Sequence, residues 1–310
     1  MHIDGSQRLR IGVSGWTRPD WEPLWPEAGD ERRLALLART FGCLEIDTTR
    51  FATPALRTVQ RWNTALAAAD AVGVAAAPAT DQSPSRACRA LVEVPATLLD
   101  ANAPLEEPVA RLVLALRPLV RARRLGALVA RFDVQFLYGP AELRRLGRLA
   151  SALAPLPLVL EARHPSWWDP RALDALRGVG VSLAHVDVAS DWRRIPERHA
   201  PTGPIGVLRL VGRGASAQDA SAAHSGLGPE VSDFRYPPPL VGRFAQRARA
   251  IAREVDECFV VAANVTRGQA LATAFELRWL CEARGPLTPW PKLRATFPDL
   301  AALESAPPPL

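Results

Sequence analysis

Residues 155–168 read PLPLVLEARHPSWW. The apolar run after Pro155 has the length and the proline flanks of a short buried strand. It ends on Glu161, Arg163 and His164 and breaks at Pro165. Charged groups at the end of a buried strand are costly unless paired, so they call for a counter-charge or a ligand. The fold has to explain why such a strand ends this way.

Outward from this stretch, short β-like runs alternate with longer amphipathic ones. Strands are expected over 9–15, 43–47, 72–77, 127–131, 157–163, 181–187, 206–211 and 258–264. Helical periodicity marks 31–41, 53–69, 141–153 and 240–255. Strands interleaved with helices imply a parallel sheet. No strand is followed by a GxGxxG or GxxxxGK[ST] loop, and Gly12-Val-Ser-Gly15 lacks the rest of either phosphate fingerprint. Eight βα units within about 250 residues suit a closed TIM-type (β/α)8 barrel of α/β class better than an open sheet. The expectation is a single barrel domain over 1–310, with its core at about 9–285 and a tail over 286–310. The least regular parts are 79–107 and 212–239; the second is rich in Gly, Ser, Ala and Pro and reads as a long loop on one rim. The terminal PPPL is expected to fray.

Composition narrows the classes. Of 310 residues 48% are apolar, enough for a sizeable core, and 38 basic against 32 acidic side chains give a formal charge of +6. No run approaches the roughly 18 apolar residues of a membrane span, and MHIDGSQRLR has no apolar centre of the kind a signal peptide needs. Cys43, Cys88, Cys258 and Cys281 form no CxxC pair and read as reduced core thiols of a cytoplasmic protein. The pI of 9.8 invites a nucleic-acid partner. Against that, the arginines are spread along helices, Lys292 is the one lysine, and no zinc finger, helix-turn-helix or aromatic RNA-binding strand is present.

Side chains two apart on a strand share a face. Glu45 therefore points with Asp47, Glu161 with Arg163, and His185 with Asp187; Arg209, Arg213 and Asn264 stand at or near the ends of the last two strands. In a barrel these ends meet at one mouth, where barrel enzymes carry their chemistry. Two readings stand side by side. Glu161 with Arg163, or Glu45 with Arg209, could be buried ion pairs that fill the barrel, and His185 a satisfied core histidine. The set could instead be a shared ligand site. Trp16, Trp21, Trp167 and Trp168 follow the first and fifth strands, and either wall a pocket or cap the rim.

The segments IGVSGW (11–16), LEIDTTRF (44–51), EARHPSWW (161–168), LRLVGR (208–213) and AANVTRGQA (262–270) occur in an order that resembles the YecE-like family, known as domain of unknown function 72. The resemblance covers about residues 9–285 and implies a TIM-type barrel, with a broad relation to sugar isomerases. It maps the family's polar positions onto Glu45, Asp47, Glu161, Arg163, His164, Asp187, Arg209, Arg213 and Asn264. The chain departs from the pattern at Ala76 in place of a lysine, Arg131 near a glutamine, Val211 for a histidine and Ala263 for an asparagine.

Together these features predict a barrel that binds or converts a small polar or anionic metabolite at its carboxyl-terminal mouth, with isomerase-like or hydrolase-like chemistry if it is an enzyme. Glu45, Glu161, His164 and Asp187 are the catalytic candidates, with Glu161 as general acid or base and His164 or His185 as second proton carrier. Arg163, Arg209 and Arg213 would grip an anionic group, with Asp47, Asn264, Trp16 and His185 also lining the site. A divalent metal held by Glu45, Glu161, His185 and Asp187 is a variant of this reading, although no HxH or HExxH spacing accompanies it. The competing class is a non-catalytic binding or scaffold protein on a degenerate barrel.

Overall fold

The computed structural model describes residues 8–26, 29–72, 87–100, 102, 104–188, 196–213, 233–282 and 285–308. Nine strand segments form one sheet: β1 (Leu9–Ser14), β2 (Cys43–Ile46), β3 (Arg89–Glu93), β4 (Leu125–Arg131), β5 (Leu158–Glu161), β6 (Ser182–Leu183), β7 (His185–Val188), β8 (Ile205–Gly212) and β9 (Glu257–Ala262). Every pairing is parallel, in the order β6-β5-β4-β3-β2-β1-β9-β8-β7.

The two edges of that list are one stretch of chain. β6 pairs with β5 and β7 with β8, and only Ala184 separates them. The Ala184 amide donates to the Leu160 carbonyl at 2.8 Å. The sheet thus closes on itself as an eight-position barrel, which leaves no open edge. Helices α1 (Asp30–Thr40), α2 (Leu56–Val72), α3 (Glu106–Arg121), α4 (Pro140–Leu153), α5 (Pro170–Gly178), α6 (Pro238–Ala252) and α7 (Gln269–Glu282) follow the strands around it.

One expected strand is corrected. The third strand is Arg89–Glu93, within the stretch read as irregular, rather than 72–77. Val72 ends α2, and 73–77, with Ala76, lie outside the described residues. The run VGVAAAP has the apolar composition expected of a strand, whereas the strand within CRALVEVP is disguised by its two charges. Those charges are tolerated because Arg89 and Glu93 both point into the barrel, one at each end. The residue that ends the third strand and points into the barrel is therefore Glu93. Much of the long loop expected over 212–239 also falls outside the described residues.

Both faces of each strand are buried, as in parallel sheets covered by helices. The outward residues, among them Ile11, Val13, Leu44, Leu128, Leu160, Leu208 and Val260, pack on the helices. The inward ones make a separate cluster: Cys43, Leu91, Ala127, Val129, Val159, Ala184, Val186, Val207, Val211, Phe259 and Val261. Packing at β1 is close enough that a Cβ on Gly12 would stand 1.7 Å from the Cys43 carbonyl oxygen. The four cysteines are free and buried. Burial pushes the Cys281 thiol up to about 12, so it stays protonated at neutral pH.

The chain beyond 285 is anchored rather than loose. Trp290 stacks on Trp25 at 5.8 Å and donates its Nε1–H to the Leu24 carbonyl, while α8 (Pro291–Thr296) buries Leu293. Residues 309–310 lie outside the described residues.

Candidate functional site at the carboxyl-terminal mouth

Inside the barrel the apolar cluster lies between two charged layers. At the amino-terminal end Glu257 pairs with Arg10 and Arg89. At the carboxyl-terminal end, inward residues of β2, β3, β4, β5 and β8 bring together Glu45, Glu93, Arg131, Glu161 and Arg209. Alternation explains this placement: each is two residues on from an inward apolar side chain, namely Cys43, Leu91, Val129, Val159 and Val207. The register of β4 on β5 sets Arg131 directly beside Glu161.

Arg131 is the hub. Its Nη2 lies 3.1 Å from Glu45 and 2.5 Å from Glu93, and its Nε lies 3.3 Å from Glu161. Arg209 spans the other side, with Nε at 3.1 Å from Glu45 and 3.6 Å from Glu161. Arg163, just past β5, donates to Glu161 at 3.1 Å. Among these residues three carboxylates thus face three guanidiniums, three charges of each sign. The Glu161 side chain is 0% exposed and that of Arg163 10%, so Arg163 is the member nearest the solvent side.

Around this layer stand residues of the βα-loops. Asp47 pairs with Arg18, and burial raises its carboxyl above the ordinary range despite that partner. Gly15 has φ +72°, and a Cβ there would lie 3.1 Å from the Asp47 carboxylate, which is why the turn after β1 carries glycine. His164 accepts the Ser166 amide on Nδ1 at 3.2 Å and has the Ser166 hydroxyl at 2.8 Å from the same nitrogen. Accepting on Nδ1 puts the neutral imidazole's proton on Nε2. The tryptophans pack under the rim: Trp16 is edge-on to Trp62, Trp21 donates to the Val265 carbonyl, and Trp167 stacks on Phe136.

The remaining predicted residues lie elsewhere. Val186 belongs to the inner cluster, so its neighbours His185 and Asp187 face outward, toward the helices. Asp187 takes a forked contact from Arg213, with Nε at 2.9 Å and Nη2 at 2.5 Å, and the Tyr236 hydroxyl donates to it at 2.8 Å. His185 stacks on His199 with ring centroids 3.9 Å apart. Asn264 also faces outward, donating to Phe234 and Thr273. The structure therefore gathers Glu45, Glu161, Arg163 and Arg209, and separates them from His185, Asp187, Arg213 and Asn264.

That division undoes the metal set of Glu45, Glu161, His185 and Asp187, because two of its members face the barrel interior and two the helix layer. Among the described residues no group of three His, Cys, Asp or Glu is placed to hold a metal ion. Glu93 was missed, although its strand shares the signal of the others: Leu44-Glu45, Val92-Glu93 and Leu160-Glu161 each end an apolar run on glutamate.

Comparison with known proteins fixes the family. The sequence profile described as "Protein of unknown function DUF72" matches residues 10–295. The chain belongs to the DUF72 family. The fold agrees: a DUF72 family protein (TM1631) of Thermotoga maritima MSB8 is similar with TM-score 0.70 and 21% identity, over 87% of this chain and 97% of that one. A second, from Enterococcus faecalis V583 (EF0366), has TM-score 0.69 and 18% identity, over 87% and 94%. No curated protein matches the chain. No helix among the described residues is long and apolar enough to cross a membrane.

Proposed function

We propose that this DUF72 protein binds a small anionic or polar metabolite at the carboxyl-terminal mouth, with Arg163 as the direct contact. The observation that carries this reading is the buried network of Glu45, Glu93, Arg131, Glu161 and Arg209. Desolvating each ion costs several kcal/mol, and apolar residues of similar volume would fill the same space at no loss of stability. A barrel that keeps five such charges at its catalytic end, and adds Arg163, holds a preorganised field there. In this reading Glu161 and Glu45 are positioning residues. Their oxygens engage arginines, so they fix the guanidinium planes toward the mouth. His164, beside Arg163 with its tautomer set by Ser166, is the proton carrier for an isomerase-like or hydrolase-like conversion.

A second reading draws on the charge balance of the same network. Three charges of each sign offset one another among these residues, which suits a non-catalytic barrel whose polar layer is structural. Thermal-shift titration with sugar phosphates and dicarboxylates separates the two. Stabilisation by a member of the panel that disappears in Arg163→Ala supports the site. Unchanged melting with every member supports the scaffold.

A further inference from the structure

Exposed apolar side chains concentrate at one part of the barrel. Among the described residues Leu114 and Val120 lie on α3. Phe51 (68% exposed), Leu56, Val134 (40%) and Leu137 (49%) instead stand on the connections that leave β2 and β4 at the carboxyl-terminal mouth. β2 and β4 both pair with β3, so these two connections rise about 10 Å apart. Scattered exposed apolar residues need no explanation, but an apolar arc beside a mouth marks a contact surface.

The β4 connection is fixed beside Arg163 and His164. The Phe132 amide donates to the Glu161 carbonyl at 3.0 Å. The Tyr138 amide donates to the Ser166 hydroxyl at 2.8 Å, the same hydroxyl that meets His164 Nδ1. Trp167 donates its Nε1–H to the Phe136 carbonyl at 2.7 Å and stacks on that ring, which stacks in turn on Phe132 at 3.7 Å. Between these ties the Gln135 amide closes a turn on the Asp133 carboxylate at 2.8 Å. The segment buries Phe132 and Phe136 yet leaves Val134 and Leu137 to water. An apolar occupant would gain their contact without having to order the loop.

We propose, on the reading of Arg163 given above, that the ligand of the mouth carries an aryl or alkyl group beside its anion. Val134 and Leu137 receive that group, with Phe51 at the far end of the arc. The charges on this lip favour such an occupant. Arg50 and Arg57 share it with the exposed Asp100 and Asp133, so it presents no single-sign field to an anionic membrane. A second copy of the chain seated there would stand across the approach to Arg163.

Calorimetric titration with two pairs of anions at constant ionic strength tests this: methyl and phenyl phosphate, acetate and phenylacetate. In wild type the aryl member of at least one pair should bind at least tenfold tighter than its small partner. The double variant Val134→Ser, Leu137→Ser should lose most of that preference and bind the small member as wild type does. Leu114→Ser on α3 should change neither, and Arg163→Ala should weaken both. Should the double variant not fold, Leu137→Ser alone should still lower the preference several-fold. Binding that needs Arg163 but shows no aryl preference overturns the inference and leaves the anion site standing. An aryl preference that needs Val134 and Leu137 but not Arg163 upholds the lip and overturns the anion reading. Binding of none of the four overturns both. Sedimentation, alone and with phosphatidylglycerol vesicles, covers the other occupants: self-association or vesicle binding that the double variant abolishes overturns the inference.

Discussion

The Nε–H of Arg209 lies 3.2 Å from one carboxylate oxygen of Glu45 and 3.1 Å from the other, joining strands that are 164 residues apart in sequence. This contact ties β8 to β2 across the barrel interior, and Arg131 ties β2 to β3 and β5 beside it. Breaking such a network and replacing it are different experiments.

Removing only the hub should be severe. Arg131→Met leaves Glu45, Glu93 and Glu161 buried with fewer counter-charges, and a broken buried pair costs about 3–5 kcal/mol. Arg243→Ala, which breaks an exposed pair with Glu197, should cost less than ~1 kcal/mol. Urea unfolding of both variants checks the contrast; similar losses would mean that the hub is not buried as described.

Backbone approach gives a second contrast. Gly12→Ala places a methyl group 1.7 Å from the Cys43 carbonyl oxygen, so β1 and β2 must separate. A loss of several kcal/mol, or failure to fold, is expected, beyond the ~1–3 kcal/mol of ordinary overpacking. Gly178→Ala at the end of α5 meets nothing within 4 Å and should be neutral or stabilising by up to ~1 kcal/mol. Far-UV circular dichroism and melting separate the two.

Acid should weaken the β7 side of the barrel. Burial, chiefly, lowers the proton affinity of His185 and His199 in the folded chain. The unfolded chain then takes up their protons first, near pH 6.5. Their contribution is fully present above that pH and is lost as pH falls below it, toward the folded values, by up to ~1.4 kcal/mol per pH unit for each histidine. His185→Phe keeps a ring on His199 without the titration. Between pH 6.5 and 5 its urea midpoint should fall less steeply than that of wild type; parallel slopes would contradict the assignment.

The barrel was legible in the sequence because seven of the eight strand positions carry apolar runs with polar breaks. The third was not, since Arg89 and Glu93 disguise a strand whose charges point into the barrel ends. Glu45 and Glu161 were legible by the same token as charges ending apolar runs. The face of His185 and Asp187 was not: both faces of a covered parallel strand are apolar, so spacing gives a shared side without saying which.

The most direct measurement replaces Glu45, Glu93, Arg131, Glu161, Arg163 and Arg209 together by leucine or methionine and records chemical unfolding. If the network is kept for a ligand at the mouth, this variant folds cooperatively with stability equal to or above wild type. A collapse of cooperativity, or a loss of several kcal/mol, would show that the barrel needs these charges to stand, and would contradict the account.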